Sequence, residues 1–194
     1  MEHWIFYIRA RLLEALGRKQ ESITTYQAAL RIRPDFHRCS NRIAYILAGL
    51  ERYAEAEPYF RAALGADPGN AVAHFNLGYT YDKRGEHAKS VEEFREATRL
   101  NPRIDRAWYG MGLAFAALGN DEEAAKALRE AATLQPMNPH AWYQLGMAYY
   151  KLHNPEKVDE VVMHMLRFDP KMTRRLILDT GRSDLAHLVK DLVV

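Results

Sequence analysis

Residues 105–138 read DRAWYGMGLAFAALGNDEEAAKALREAATLQPMN, and the pattern of that 34-residue stretch returns along most of the chain. Pro136, near its end, has counterparts at Pro34, Pro68, Pro102 and Pro170, so five of the eight prolines share one phase. Self-similarity at a fixed period of this size marks a stack of repeated supersecondary units. With the proline set as position 32, the repeats span residues 3–36, 37–70, 71–104, 105–138 and 139–172, and residues 173–194 follow as a C-terminal capping helical segment.

The columns say what each repeat is. Position 24 holds Tyr26, Phe60, Phe94, Leu128 and Val162; position 27 holds Ala29, Ala63, Ala97, Ala131 and Met165; position 28 holds Leu30, Leu64, Thr98, Ala132 and Leu166. That i, i+3, i+4 spacing is one buried stripe on a helix. Earlier in the repeat, position 8 is Ala10, Ala44, Gly78, Gly112 and Gly146, small enough for two helix axes to approach. Position 11, with Leu13, Leu47, Tyr81, Phe115 and Tyr149, supplies bulk beside it, as an interdigitating core requires. Gly17, Gly85 and Gly119 break the first helix, because glycine enters the left-handed conformation that ends helices. Asn154-Pro155 reads as an N-cap followed by first-turn proline, and the phased prolines are expected to close each second helix. Each repeat is therefore a helical hairpin, and the fold class is all-α.

Tryptophan, leucine, glycine and tyrosine early, small residues and phenylalanine later, and proline last resemble the tetratricopeptide repeat. Asn76-Leu77-Gly78-Tyr79-Thr80-Tyr81 and Ala141-Trp142-Tyr143-Gln144-Leu145-Gly146 carry the likeness best, while Arg9, Ser40 and Glu51 depart from it. The resemblance implies a right-handed superhelical α-solenoid of stacked antiparallel helix pairs, working as a scaffold or adaptor for a protein or peptide partner. It also implies that first-helix positions 2, 5, 9, 12 and 13 face an inner groove. With their neighbours, the residues expected to bind peptide are Tyr7, Arg11, Asn41, Arg42, Tyr45, Phe75, Asn76, Tyr79, Lys83, Arg106, Tyr109, Tyr143, Met147 and Tyr150. Tyrosine and arginine suit that role, since both are enriched at interface hot spots. The residue set with which some family members grip chaperone tails is matched only by Asn76 and Arg106; Asn41, Tyr45 and Gly110 fill the other places, which argues against that activity.

Composition narrows the remaining classes. With 194 residues, 48% of them apolar, the chain can bury a core, and a formal charge of +2 lacks the basic footprint of a nucleic-acid binder. No stretch is apolar for long enough to span a membrane. One cysteine, Cys39, permits no internal disulfide and suits a reducing compartment, so a cytoplasmic location is expected. No metal-ligand spacing, phosphate loop or nucleophile motif occurs, so no enzyme, cofactor or metal is expected; His74 and His140 read as polar surface. Two readings stand beside the adaptor: a self-assembling structural protein, and the targeting domain of a larger enzyme such as a glycosyltransferase. At the N-terminus, Trp4, Phe6 and Ile8 lack an obvious neighbour and point to a homo-oligomer through the first helix or to a longer parent protein. At the other end Leu185, Leu188, Val189 and Leu192 keep helical spacing behind Ser183 as N-cap, and are expected to form the cap.

Overall fold

The turn at position 15 decides the hairpin. In the computed structural model, which describes residues 1–189, Gly17, Gly85 and Gly119 take φ of 76°, 75° and 77°. The residue after each donates its N–H five residues back, Arg18 to Leu13, Glu86 to Tyr81 and Asn120 to Phe115, all at 2.9 Å. This is the closure of a Schellman turn around a left-handed residue. Two turns make it without glycine. Glu51 lies at φ 59° and His153 at φ 52°, with Arg52 donating to Leu47 and Asn154 to Tyr149 in the same way. An L side chain in that region costs about 1–2 kcal/mol, and the helices packed on either side hold it there.

Residues 1–101 form one compact unit. It contains α1 (Glu2–Ala15), α2 (Lys19–Ile32), α3 (His37–Ala48), α4 (Tyr53–Ala66), α5 (Ala71–Lys83) and α6 (His87–Leu100), paired as hairpins α1/α2, α3/α4 and α5/α6. Position 24 supplies the centre of its core: Tyr26, Phe60 and Phe94 are all but fully buried. Position 8 shows why it must be small. A methyl group on Gly78 would lie 2.8 Å from Phe94 Cδ1, inside van der Waals contact, so ring and backbone are matched within one hairpin.

Residues 102–194 form a second unit, with α7 (Asp105–Ala117), α8 (Asp121–Leu134), α9 (Pro139–Lys151), α10 (Pro155–Met165) and α11 (Pro170–Asp179), then a 3₁₀ segment (Ser183–Val189). A methyl group on Gly112 would meet Leu128 Cγ at 2.6 Å, the same fit as in the first unit. Asn138, Asn154 and Asp169 each cap the helix that follows, accepting the N–H of His140, Lys157 and Met172 at 3.0, 3.1 and 2.8 Å, and each precedes a proline in the first turn.

Pro170 departs from its column. Pro34, Pro68, Pro102 and Pro136 stand two residues beyond a second helix, but Pro170 opens α11, and α10 has already stopped at Met165. Asp169 caps α11, and a proline with no N–H to satisfy is at ease in the first turn behind it. The helix α11 packs on α9 and α10. Thr173, Leu176 and Ile177 of α11 are buried, and Leu176 Cδ2 would lie 2.7 Å from a methyl group on Gly146, filling the place that Phe94 and Leu128 take over Gly78 and Gly112. The stretch after Ser183 is a 3₁₀ segment in which only Val189 is buried, and Leu192 lies outside the described residues. Among the described residues there is no strand, and no helix is long and apolar enough to cross a membrane.

Candidate functional site

In the first unit the expected site residues stand on α1, α3 and α5, and they divide into two kinds. Tyr7 and Phe75 pack. The Tyr7 ring lies 5.5 Å from Trp4 and Phe36 and 5.7 Å from Tyr26, and Phe75 lies 5.9 Å from Phe94. Asn41 and Asn76 are half-buried, and Asn41 Oδ1 is shielded from solvent with no hydrogen-bond donor among the described residues. Tyr45 and Tyr79, by contrast, remain 55% and 39% exposed. Each carries a cation over its ring, Arg42 above Tyr45 and Lys83 above Tyr79, both 5.3 Å from the centroid. The helices α3 and α5 are in direct contact, and the two tyrosines hold the same position of successive repeats. Tyr53, at the start of α4, lies with its ring 6.3 Å from Tyr79. Sequence columns gave no sign of Tyr53, because its position is not aromatic in the other repeats.

Two of the arginines expected at the site, Arg42 and Arg11, face Glu14 of the same chain. Glu14 accepts from Nε and Nη2 of Arg42, and the Tyr26 hydroxyl donates to the same carboxylate at 3.1 Å. Arg11 Nε stands 3.9 Å away, and its side chain is half exposed. Charge-assisted pairs of this geometry are the strong class of hydrogen bond.

In the second unit Tyr109 is half-buried, and burial pushes its hydroxyl pKa upward. Arg106 is exposed at the start of α7. Tyr143 is bound to the cap: its hydroxyl donates to Asp179 at 2.5 Å and Arg175 lies over its ring at 5.2 Å. Burial and then the Asp179 carboxylate raise its pKa. Beside it opens a cavity of about 270 Å³ lined by Tyr143, Gln144 and Met147 with Asp121, Lys151 and Arg175 at ionic positions. Lys151 Nζ stands 3.4 Å from Asp121 Oδ1. Tyr150 is 44% exposed. Among the described residues no group of histidine, cysteine and acidic side chains could hold a metal ion.

A comparison with protein-family models finds the tetratricopeptide repeat in four overlapping stretches, residues 7–71, 41–103, 75–139 and 122–157. The chain belongs to the tetratricopeptide repeat family. No curated protein matches the sequence. Among solved structures, YrrB, described as a tetratricopeptide repeat protein with an unusual peptide-binding site, is similar with a TM-score of 0.80 at 22% identity, over 91% of this chain and 90% of that one. A tetratricopeptide repeat protein from Parabacteroides merdae gives 0.79 at 16% identity over 98% and 78%. MamA from Desulfovibrio magneticus gives 0.76 at 18% identity over 86% and 97%. At such identities these likenesses speak for the fold.

Two recurring bonds of the tetratricopeptide repeats lie outside what column-reading detects. The position-4 indoles of Trp108 and Trp142 donate to the carbonyls of Pro102 and Pro136 at 2.9 Å, and His74 Nε2 lies 3.1 Å from the Pro68 carbonyl. The proline column thus supplies an acceptor as well as a stop. Buried Tyr81 and Tyr149 receive Arg61 and Arg129 on their hydroxyls, each arginine coming from the second helix of the repeat before. Both pairs recur 68 residues apart, two repeat periods, which is the signal that could have found them.

Proposed function

We propose that this chain is a protein-interaction module that takes an extended or helical segment of a partner protein across the surface of α3 and α5, with Tyr45 and Tyr79 as the anchors, and that it catalyses no reaction. The exposure of these two rings on neighbouring helices, each with a cation on one face, carries the reading. Tyrosines offer a large apolar area at small rotamer cost and a hydroxyl for hydrogen bonding. Lys83, Asn76 and Tyr53 border the same surface. Within the second unit Tyr150 and Met147 offer contacts of their own, beside a cavity of side-chain size. Tyr7, Phe75 and Tyr109 serve packing in this scheme. The peptide-binding site of YrrB, a protein with the same fold, is consistent with such a role.

Partner segments captured from a lysate of the native cell and then made synthetically provide the test. Titration calorimetry against the double variant Tyr45→Ala, Tyr79→Ala should show binding weaker by about 2 kcal/mol or more, the size of an interface hot spot, with circular dichroism unchanged. Equal affinity for wild type and variant would remove the tyrosine surface from the mechanism.

A further inference from the structure

The same arginine–tyrosine pair stands in both units, in different electrical surroundings. In the first unit it is Arg61 with Tyr81, and charges alternate around the ring. Glu57 accepts from the Tyr81 hydroxyl and from Arg61 Nε, both at 3.0 Å, and it also receives Arg84. Arg84 in turn reaches Glu86 at 2.7 Å, and Glu86 receives Lys89 at 2.6 Å, whose ammonium lies 5.4 Å from the centre of the Tyr81 ring. Each of these cations is paired with a carboxylate.

Two repeat periods later the pair is Arg129 with Tyr149, and Lys157 matches Lys89. The acids are missing. Ala125, Leu152 and Asn154 occupy the positions of Glu57, Arg84 and Glu86. Arg129 donates to the Tyr149 hydroxyl from Nε at 3.0 Å and from Nη2, and the Lys157 ammonium lies 5.2 Å from the centre of the same ring. Among the described residues Tyr149 is the only hydrogen-bond or ring partner of either side chain, and neither is in an ion pair. Two N–H donors fill the acceptor sites of the hydroxyl. Its own proton, which Tyr81 gives to Glu57, has no acceptor among the described residues. Arg129 is exposed and Lys157 partly so, which leaves both open to a solute.

We propose that Arg129, Lys157 and the Tyr149 hydroxyl bind an oxyanion, carried by an acidic or phosphorylated side chain of a partner protein, which does here what Glu57 and Glu86 do inside the first unit. Two cations drawn to one ring without a counter-charge repel each other, and an oxyanion relieves that repulsion while accepting charge-assisted hydrogen bonds from both. The phenol O–H completes the set of donors. Tyr45 and Tyr79 take no part, so this site and the tyrosine surface are tested separately.

The isotope-labelled full chain, titrated with inorganic phosphate and in a second series with acetate, at an ionic strength held constant with sodium chloride, provides the test by NMR. Wild type should show saturable shifts in the millimolar range, centred on Arg129, Tyr149 and Lys157. Arg129→Gln and Lys157→Gln should each weaken binding about tenfold, the loss of one charged hydrogen bond. Ala125→Glu supplies the carboxylate that the first unit has and should abolish binding with helicity unchanged. Ala125 is 4% exposed, and if glutamate there disturbs the fold, the two glutamine variants still decide. Tighter binding of phosphate than of acetate assigns the site to a phosphorylated residue, and acetate bound at least as tightly assigns it to a carboxylate side chain. Absence of saturation overturns the proposal, as does an affinity left intact by Arg129→Gln and Lys157→Gln.

Discussion

Glu51→Gly should make the first unit more stable. Glu51 is held at φ 59° where the three glycine turns lie near 76°, and leaving that region to glycine removes about 1–2 kcal/mol of conformational cost. Glycine gives back roughly 0.5–1 kcal/mol through the greater freedom of the unfolded chain. The net expectation is a gain of about 0.5–1 kcal/mol, which in a chain of this size moves the thermal midpoint by roughly 1–4 °C. The Glu51 side chain is exposed and its N–H bond to Ala48 is kept by glycine, so no other contact enters the balance. Gly85→Ala is the mirror experiment. A methyl group on Gly85 would meet nothing within 4 Å, so its expected cost of about 1 kcal/mol comes from backbone conformation alone. Both sites lie in the unit of residues 1–101 and report on the same stack in urea melts followed by circular dichroism. If Glu51→Gly were neutral or destabilising while Gly85→Ala carried its full cost, the turn at residue 51 would not be strained and the reasoning would fail.

Leu176→Ala should cost about 2–5 kcal/mol by opening a cavity beneath α11, and Gly146→Ala, destabilising on its own, should become nearly neutral in that background because the methyl group then occupies the vacated space; urea denaturation of the four variants measures the coupling. Trp108→Phe keeps the ring but removes the bond to Pro102 and should cost about 0.5–1.5 kcal/mol in the same assay. Burial pushes the Cys39 thiol from 9.0 up to about 12, so the folded protein should resist thiol reagents at pH 8 and react on unfolding. Because the folded value is the higher one, the neutral buried thiol supports the fold fully below about pH 9 and that support is lost as pH rises toward 12, which alkaline denaturation of Cys39→Ala beside the wild type would reveal. Loss of partner binding in the Tyr45→Ala, Tyr79→Ala double variant completes the set.

The hairpins were legible because steric demands recur at fixed intervals: the small residue at Gly112 and the branched one at Leu128 declare one contact from two columns. Conformation without composition was harder to read: Glu51 and His153 stand in the column of Gly17, Gly85 and Gly119 and adopt a glycine's geometry, but their own side chains give no sign of it. Pro170 misled for the opposite reason. A proline suits both the end of one helix and the first turn of the next, and the residue in front does not tell them apart, since Asp67 precedes Pro68 as Asp169 precedes Pro170. Within the candidate site, the sequence identified tyrosines but could not tell ring from packing: Tyr45 and Tyr109 stand in related columns, yet one is open and the other half-buried, because exposure depends on which neighbours fill the space beside each ring. Nor could a linear reading pair Arg42 with Glu14, residues 28 positions apart on different helices.

That pairing has an electrical consequence. A polypeptide arriving over α1 and α3 meets a surface whose strongest charges have already been settled internally, so little of its grip can come from long-range attraction. Attachment through Tyr45 and Tyr79 would rest on ring faces and expelled water, and should persist in sodium chloride at strengths that dissociate acidic ligands from bare arginines.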